Sequence, residues 1–254
     1  MANFRLDGNV ALVTGGGGVL GAHFAHTLGK AGAHVAIAGR RLEPLEKVAG
    51  ELRKQGISAL PVTMDVTQES SVAEAFSTIE DTFGSVDVII NNAGVAITKT
   101  AITLSLNEWQ QVVDTNLKGG WIICSEAARR LVAAGKPGAI VNITSILGHR
   151  VGGAVLAYTT AKAGMEQMTR ALALEWARYG IRVNALAPGY VETDLNRDFF
   201  ATDSGKAMIQ RIPQRRLGSP EDLEGALLLL ASNASSYMTG SSIVVDGGHL
   251  HSTL

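Results

Sequence analysis

The chain has 254 residues, 29 of them glycine, against roughly 18 at average usage; it carries no Gly-X-Y period and is 46% apolar, so collagen-like and disordered readings fail. Charged residues make up 18% where about 25% is usual, which places an unusual share of the chain inside a fold or an oligomer. With 22 basic and 23 acidic residues intermixed and a net charge of −1, no basic surface for collecting phosphates is evident, and nucleic acid is not an expected partner.

Residues Met1 to Gly8 show no basic stretch leading into an apolar one, so no signal peptide is expected. No run approaches the ~20 apolar residues that span a bilayer, so no membrane partner is expected. The single Cys124 cannot close an internal disulfide. A cytoplasmic protein is the expectation.

Apolar runs of strand length alternate with longer stretches of helical period. Strands are predicted at 10–14, 34–38, 58–64, 86–90, 139–144, 182–186 and 242–245, and helices at 22–31, 43–55, 69–83, 106–134, 157–179 and 220–231. This alternation is the pattern of β-α-β units. The expected fold is α/β: one doubly wound Rossmann-type domain over residues 1–254, with a seven-stranded parallel sheet covered by helices on both faces. Residues 188–218 form the one irregular stretch, long enough to serve as a substrate-binding loop or lid.

The first strand ends in Thr14-Gly-Gly-Gly-Gly-Val-Leu-Gly21 before a helix. Gly16, Gly18 and Gly21 fit G-x-G-x-x-G, which lets backbone N–H groups and a helix N-terminus approach a pyrophosphate. The same glycines suit a tight strand-to-helix turn, since a run of them satisfies many spacings. At the end of the next strand the chain reads Ala38-Gly39-Arg40-Arg41, with no carboxylate before Glu43. A carboxylate there would bind the ribose 2′-hydroxyl of NAD, whereas a guanidinium bonds the 2′-phosphate of NADP. NADP is therefore the expected cofactor and NAD the alternative; two solvated arginines at a helix start would look the same.

Tyr158 and Lys162 stand four apart in a predicted helix, so their side chains share a face. Ser145 follows a strand at its carboxyl end, and Asn91-Asn92-Ala93-Gly94 follows another, which is where ligands sit in open α/β sheets. The chain resembles the short-chain dehydrogenase/reductase family over essentially its whole length. The resemblance rests on Thr14-Gly15 with Gly21, Asp65-Val66, Asn91-Asn92-Ala93-Gly94, Asn116, Ser145, Tyr158, Lys162, Pro188-Gly189 with Thr193, and Asp246-Gly247-Gly248. It is similar to the branch that includes 3-oxoacyl reductases and gluconate 5-dehydrogenases.

The resemblance implies a carbonyl reductase or secondary-alcohol dehydrogenase. By it, the loop at Gly15, Gly17, Gly18, Val19, Leu20 and Gly21 cradles the cofactor, Asp65 and Val66 hold the adenine, and Asn92, Ala93 and Gly94 support the middle. Thr193 with the backbone from Pro188 and Gly189 to Val191 holds the carboxamide. A ketone accepting hydride develops negative charge on oxygen and needs a proton donor, for which Tyr158 is the candidate. Lys162, together with an oxidised nicotinamide, would lower the phenol's pKa toward neutrality, and Lys162 would bind ribose hydroxyls. Ser145 would donate a hydrogen bond to the same oxygen, and Asn116 would hold a water linking Lys162 to solvent. Gly119-Gly120 is expected to break the helix at Asn116, at about 1 kcal/mol each.

The resemblance departs at Val19, where the family pattern Thr-Gly-x-x-x-Gly-x-Gly asks for glycine. Basic residues common in this loop among NADP-using relatives are also missing. The expected substrate pocket is mostly apolar: Ile146, Leu147, His149, Val151, Tyr190, Leu195, Phe199 and Phe200. This favours a hydrophobic ketone, with a 3-oxoacyl thioester or a sugar acid as alternatives. Relatives commonly form homotetramers through the two long helices. No phosphate-binding G-x-x-x-x-G-K-[ST] or hydrolase G-x-S-x-G occurs, and His23/His26 and His249/His251 lack the company of a metal motif. A catalytically idle dinucleotide sensor would be expected to lack Tyr158 or Lys162. An epimerase or dehydratase would need an added substrate domain.

Overall fold

The computed structural model describes residues 3–192 and 197–252. β1 (Val10–Thr14) leads through the glycine loop into α1 (Val19–Lys30), followed by β2 (His34–Gly39), α2 (Leu42–Lys54), β3 (Ala59–Thr63) and α3 (Glu69–Phe83). The second half runs through β4 (Val88–Asn91), α4 (Leu106–Val113), α5 (Gly119–Ala134), β5 (Gly138–Ile143), α6 (Leu156–Trp176) and β6 (Ile181–Pro188). Two short helices, α7 (Arg197–Ala201) and α8 (Asp203–Ile209), precede α9 (Glu224–Ala231) and β7 (Ser242–Val245). The seven strands form one sheet in the order β3-β2-β1-β4-β5-β6-β7, parallel throughout.

The strands are nearly all apolar because both faces of the sheet are covered. Ala11, Val13, Val35 and Ile37 point to one face, beneath Phe24 of α1, Leu45 of α2 and Leu227 of α9. Their sequence neighbours Val10, Leu12, Ala36 and Ala38 point to the other, beneath Phe76 of α3 and Ile123 of α5. Among the described residues no helix is long and apolar enough to cross a membrane.

Several boundaries differ from expectation for identifiable reasons. α1 starts at Val19 rather than at 22 because Gly18 already serves as its N-cap. β6 extends to Pro188 because it pairs with β7 from Ala185↔Ser242 to Pro188↔Val245. Residues 188–218 are partly helical, and their two ends are tied together: Gly218 N–H donates to Tyr190 O and Glu192 N–H to Gly218 O, both at 2.9 Å.

The predicted helix 106–134 is two α-helices joined by a π-helical turn, Asp114–Lys118, in which Gly119 N–H reaches back five residues to Asp114 O. Gly119 and Gly120 do not break the helix. Gly119 has helical angles, and both glycines are buried. A Cβ at Gly119 would lie 2.8 Å from Val66 Cγ2, and one at Gly120 would lie 2.9 Å from Met165 Cε and 3.1 Å from Asn91 Nδ2. These glycines let α5 lie against the sheet end and α6.

Candidate active site

The order of strands reverses between β1 and β4, so the loops after these strands splay apart and open a crevice at their carboxyl ends. Thr14 locks the two ends together. Its hydroxyl accepts from Asn92 N–H and Ala93 N–H, both at 3.0 Å, and Asn92 Nδ2 donates to Thr14 O at 2.9 Å. Gly15 sits at φ +67°, and a Cβ there would meet Asn92 Nδ2 at 3.0 Å. A Cβ at Gly21 would overlap Gly15 O and stand 2.8 Å from its carbonyl carbon; one at Gly16 would stand 2.8 Å from Ile37 Cβ.

The backbone therefore demands glycine at 15, 16 and 21. Val19 is the first residue of α1, and at 40% exposure it fills no tight space, which accounts for its tolerance where the family pattern asks for glycine. Gly18 N–H is taken by Gly15 O at 3.1 Å, while the N–H groups of Val19, Leu20 and Gly21 open the helix without intrahelical acceptors. That cradle fits a pyrophosphate. Gly17 packs over Pro44 at the start of α2.

Arg40 and Arg41 follow β2 and are exposed. Across from them, burial pushes the Asp65 carboxyl up, but Thr67, donating from its backbone at 3.0 Å and its hydroxyl at 2.8 Å, and the Arg40 charge hold it below its ordinary value. Val66 is buried against Gly119.

The other side of the crevice is built by β5 and α6. Lys162 is buried and its Nζ donates to Ile143 O at 2.7 Å, 5.6 Å from the centroid of the Tyr158 ring. Burial pushes this ammonium down to about 8, with Glu166 pulling it upward. Ser145 acts on the Tyr158 hydroxyl and favours its ionised form. Ser145 Oγ accepts from Leu147 N–H at 3.1 Å, which leaves its own O–H as the donor. The expected downward shift at Tyr158 is not what the polypeptide alone produces: burial pushes the phenol up, Ser145 opposes, and Tyr190 adds to the rise.

Asn116 is buried in the π-helical turn, and both ends of its amide grip one residue. Oδ1 accepts from Val95 N–H at 2.7 Å and Nδ2 donates to Val95 O at 2.8 Å. The amide expected to hold a water thus braces the segment after β4. A Cβ at Gly94 would lie 3.0 Å from Asn116 Oδ1 and 3.8 Å from Lys162 Nζ, so this segment passes directly over the lysine.

A family model described as enoyl-(acyl carrier protein) reductase matches residues 18–249. The chain is 38% identical over 248 residues to 2-dehydro-3-deoxy-D-gluconate 5-dehydrogenase of Dickeya dadantii, covering 97% of each chain. It is 42% identical over 241 residues to cis-4-hydroxycyclohexanecarboxylate dehydrogenase of Sinomonas cyclohexanicum, covering 94% of this chain and 96% of that one. The crystal structure of a gluconate 5-dehydrogenase from Burkholderia cenocepacia in complex with NADP and tartrate superposes with a TM-score of 0.94 at 33% identity, covering 99% of both chains.

The chain belongs to the short-chain dehydrogenase/reductase family.

It is therefore an NAD(P)-dependent oxidoreductase acting on CH–OH groups. In this short-chain dehydrogenase/reductase the expected pocket residues separate into those that meet at the crevice and those that do not. Tyr190 lies edge-on to Phe200 with centroids 5.7 Å apart, and Phe199 meets Phe200 at 5.2 Å. Ile146 is closed into the turn after Ser145, and Leu147 is only partly exposed. His149 sets its ring against the buried Glu166 carboxylate and the Ser242 hydroxyl, and Val151 is 85% exposed. Val191 is buried, and Gly189 is pressed against Asp246, whose Cβ would lie 2.7 Å from a Cβ there. Thr193 and Leu195 lie outside the described residues.

Two groups at the site were not expected there from the sequence. His249 is buried with its ring 5.4 Å from that of Tyr190, because Gly247 and Gly248, at φ +63° and +87°, fold the tail back over the site. Burial and the Arg150 charge hold its imidazole below the ordinary value. Glu166 is the other, a buried carboxylate one helical turn beyond Lys162. That four-residue spacing was its one available signal.

Proposed function

We propose that the chain is an NADP(H)-dependent carbonyl reductase and secondary-alcohol dehydrogenase. The observation that carries this reading is the meeting of Tyr158, Ser145 and Lys162 beside the glycine cradle at the sheet switch point. The Val19–Gly21 turn binds the pyrophosphate, Asp65 and Val66 the adenine, Asn92 to Gly94 the middle of the cofactor, and Thr193 with residues 188–191 the carboxamide. Arg40 and Arg41 take the 2′-phosphate, consistent with the NADP carried by the Burkholderia cenocepacia relative. When bound, the nicotinamide supplies or accepts the hydride.

In the reducing direction Tyr158 gives its hydroxyl proton to the carbonyl oxygen as negative charge develops there. Ser145 donates its O–H to the same oxygen, and the Lys162 ammonium stabilises the phenolate left behind. Asn116 acts through Val95, holding the roof over Lys162.

The names of the relatives add an acidic substrate to the apolar ketone expected from the pocket, since they include a gluconate and a cyclohexanecarboxylate. Arg150 is the cation that acts on Tyr190, the aromatic neighbour of Phe200. The test is a panel of oxo acids and apolar ketones with NADPH and NADH. Turnover with NADPH, best on the acids, is expected; no turnover with either cofactor would overturn the reading.

Residues 188–218 serve in this reading as the substrate loop of a single domain in a cytoplasmic homotetramer. Trp121 and Val132 share an exposed face of α5, and Leu156 and Leu174 share one of α6, five turns apart. Light scattering coupled to size exclusion is expected to give four chains; a monomer would refute this.

A further inference from the structure

We propose that Glu166 is a positioning residue of the reaction: its carboxylate, buried one helical turn behind Lys162, fixes the strand end that carries Ser145 and supplies the buried counter-charge to Lys162. This rests on the oxidoreductase reading above. Tyr158, Lys162 and Glu166 occur at i, i+4 and i+8 on α6, so they form one ridge of the helix. Each member of the ridge meets one of three consecutive residues leaving β5. Lys162 Nζ donates to Ile143 O at 2.7 Å, Glu166 Oε1 accepts from Thr144 Oγ1 at 2.5 Å, and the Tyr158 hydroxyl is the one on which Ser145 acts.

The turn after Ser145 lies on the same ridge. A Cβ at Gly148 would stand 3.0 Å from Lys162 O and 3.3 Å from Glu166 Cγ, so only glycine lets residues 146–148 settle there. A carboxylate this deeply buried is costly unless paired and hydrogen-bonded. Ser242 Oγ of the edge strand β7 donates to Oε1 at 3.0 Å, and His149 Nε2 stands 3.2 Å from the same oxygen. Thr144 Oγ1 also reaches Leu186 O at 3.2 Å, but its single proton goes to the nearer, charged acceptor. The charged and titratable groups facing Glu166 are Lys162 and Arg170 on its own helix, the latter 3.8 Å from Oε2, and His149 on the segment after β5. β7 brings only the Ser242 hydroxyl. Lys162 is faced by Tyr158 and Glu166.

A carboxylate that merely stapled α6 to the sheet would affect stability alone. One that sets the charge of Lys162 and the place of Ser145 must affect titration and turnover. The variant Glu166→Gln keeps volume and an acceptor for Thr144 and Ser242 while removing the charge. In the cofactor-free protein, NMR titration of the Lys162 ammonium is expected to move about one unit toward lower pH, a tenfold smaller charged fraction above the midpoint. The alkaline limb of ketone reduction moves the same way. Thr144→Val removes the grip on the strand end but not the charge; kcat is expected to fall with KM and the alkaline limb unchanged. If Glu166→Gln does not fold, Glu166→Asp keeps the charge and is expected to retain the Lys162 titration while lowering kcat.

A folded Glu166→Gln protein with unchanged Lys162 titration and pH profile would overturn the counter-charge, as would an Asp variant with an altered titration. A Thr144→Val protein with wild-type kcat would overturn the hold on Ser145. The NMR arm needs no turnover. A wild-type protein that reduces nothing therefore defeats the oxidoreductase reading, while the Lys162 titration alone still decides the counter-charge.

Discussion

Substituting Gly21 by alanine adds one methyl group where the structure leaves no room. The new Cβ would overlap Gly15 O and stand 2.8 Å and 2.9 Å from Gly15 C and Gly16 Cα, all backbone atoms that no rotamer change can move aside. Overpacking of this kind costs typically 1–3 kcal/mol. Because the strained atoms are the cofactor loop itself, the loop must shift to relieve it, and a tenfold loss per 1.4 kcal/mol weakens NADPH binding by roughly 10- to 100-fold. The melting temperature falls with it, by about 2–4 °C per kcal/mol for a chain of this size. Gly50 supplies the opposite case. It lies inside α2 with nothing within 4 Å of its added Cβ, so Gly50→Ala raises stability by about 0.5–1 kcal/mol and leaves NADPH binding unchanged. Fluorescence titration of NADPH and thermal unfolding measure both. Equal effects of the two substitutions, or a Gly21→Ala protein with wild-type affinity and melting temperature, would refute the steric reasoning.

Arg40→Asp replaces a cation expected to bond the 2′-phosphate with an anion that repels it. The ratio of kcat/KM for NADPH over NADH is expected to fall at least tenfold, and an unchanged ratio would remove Arg40 from phosphate recognition. Asn116→Ala leaves both Val95 backbone groups without their partner, at about 1–3 kcal/mol; kcat and the melting temperature are expected to drop together, and an unaltered kcat would end the bracing role. At Glu108 the pH dependence can be signed. The Lys99 ammonium, 2.9 Å away, and the Ser105 N-cap hold its carboxyl down to about 2, below the 4.5 of the ordinary group. Its contribution is therefore complete above pH 4.5 and disappears as pH falls toward 2. Glu108→Gln is expected to melt below wild type at neutral pH and to converge with it in acid; a gap that persisted at pH 2 would contradict the assignment.

The sheet was legible because strands covered on both faces must be nearly all apolar, and glycine and charge punctuate them. Tyr158, Lys162 and Ser145 were legible by spacing and by their place at strand ends. The π-helical turn at Asp114–Lys118 was not, since side-chain periodicity over five residues does not separate π from α. Gly119 and Gly120 read as helix breakers because their reason lies in Val66, Met165 and Asn91, residues distant in sequence. Glu166 and His149 likewise take their roles from Thr144 and Ser242 on two other strands' ends. The place of His249 at the site was not legible, because the positive φ of Gly247 and Gly248, which turns the tail inward, is a conformational choice that composition permits without dictating.

Tracking the hydride gives the most direct measurement. Wild-type protein and Tyr158→Phe are incubated with carbon-4-deuterated NADPH and an oxo acid or ketone taken from the panel, with NADPH binding measured in the same samples. Deuterium on the carbinol carbon of the wild-type product, and its loss in Tyr158→Phe with binding retained, is the expected result. Labelled product formed by Tyr158→Phe at the wild-type rate would contradict the assignment of Tyr158 as the acid.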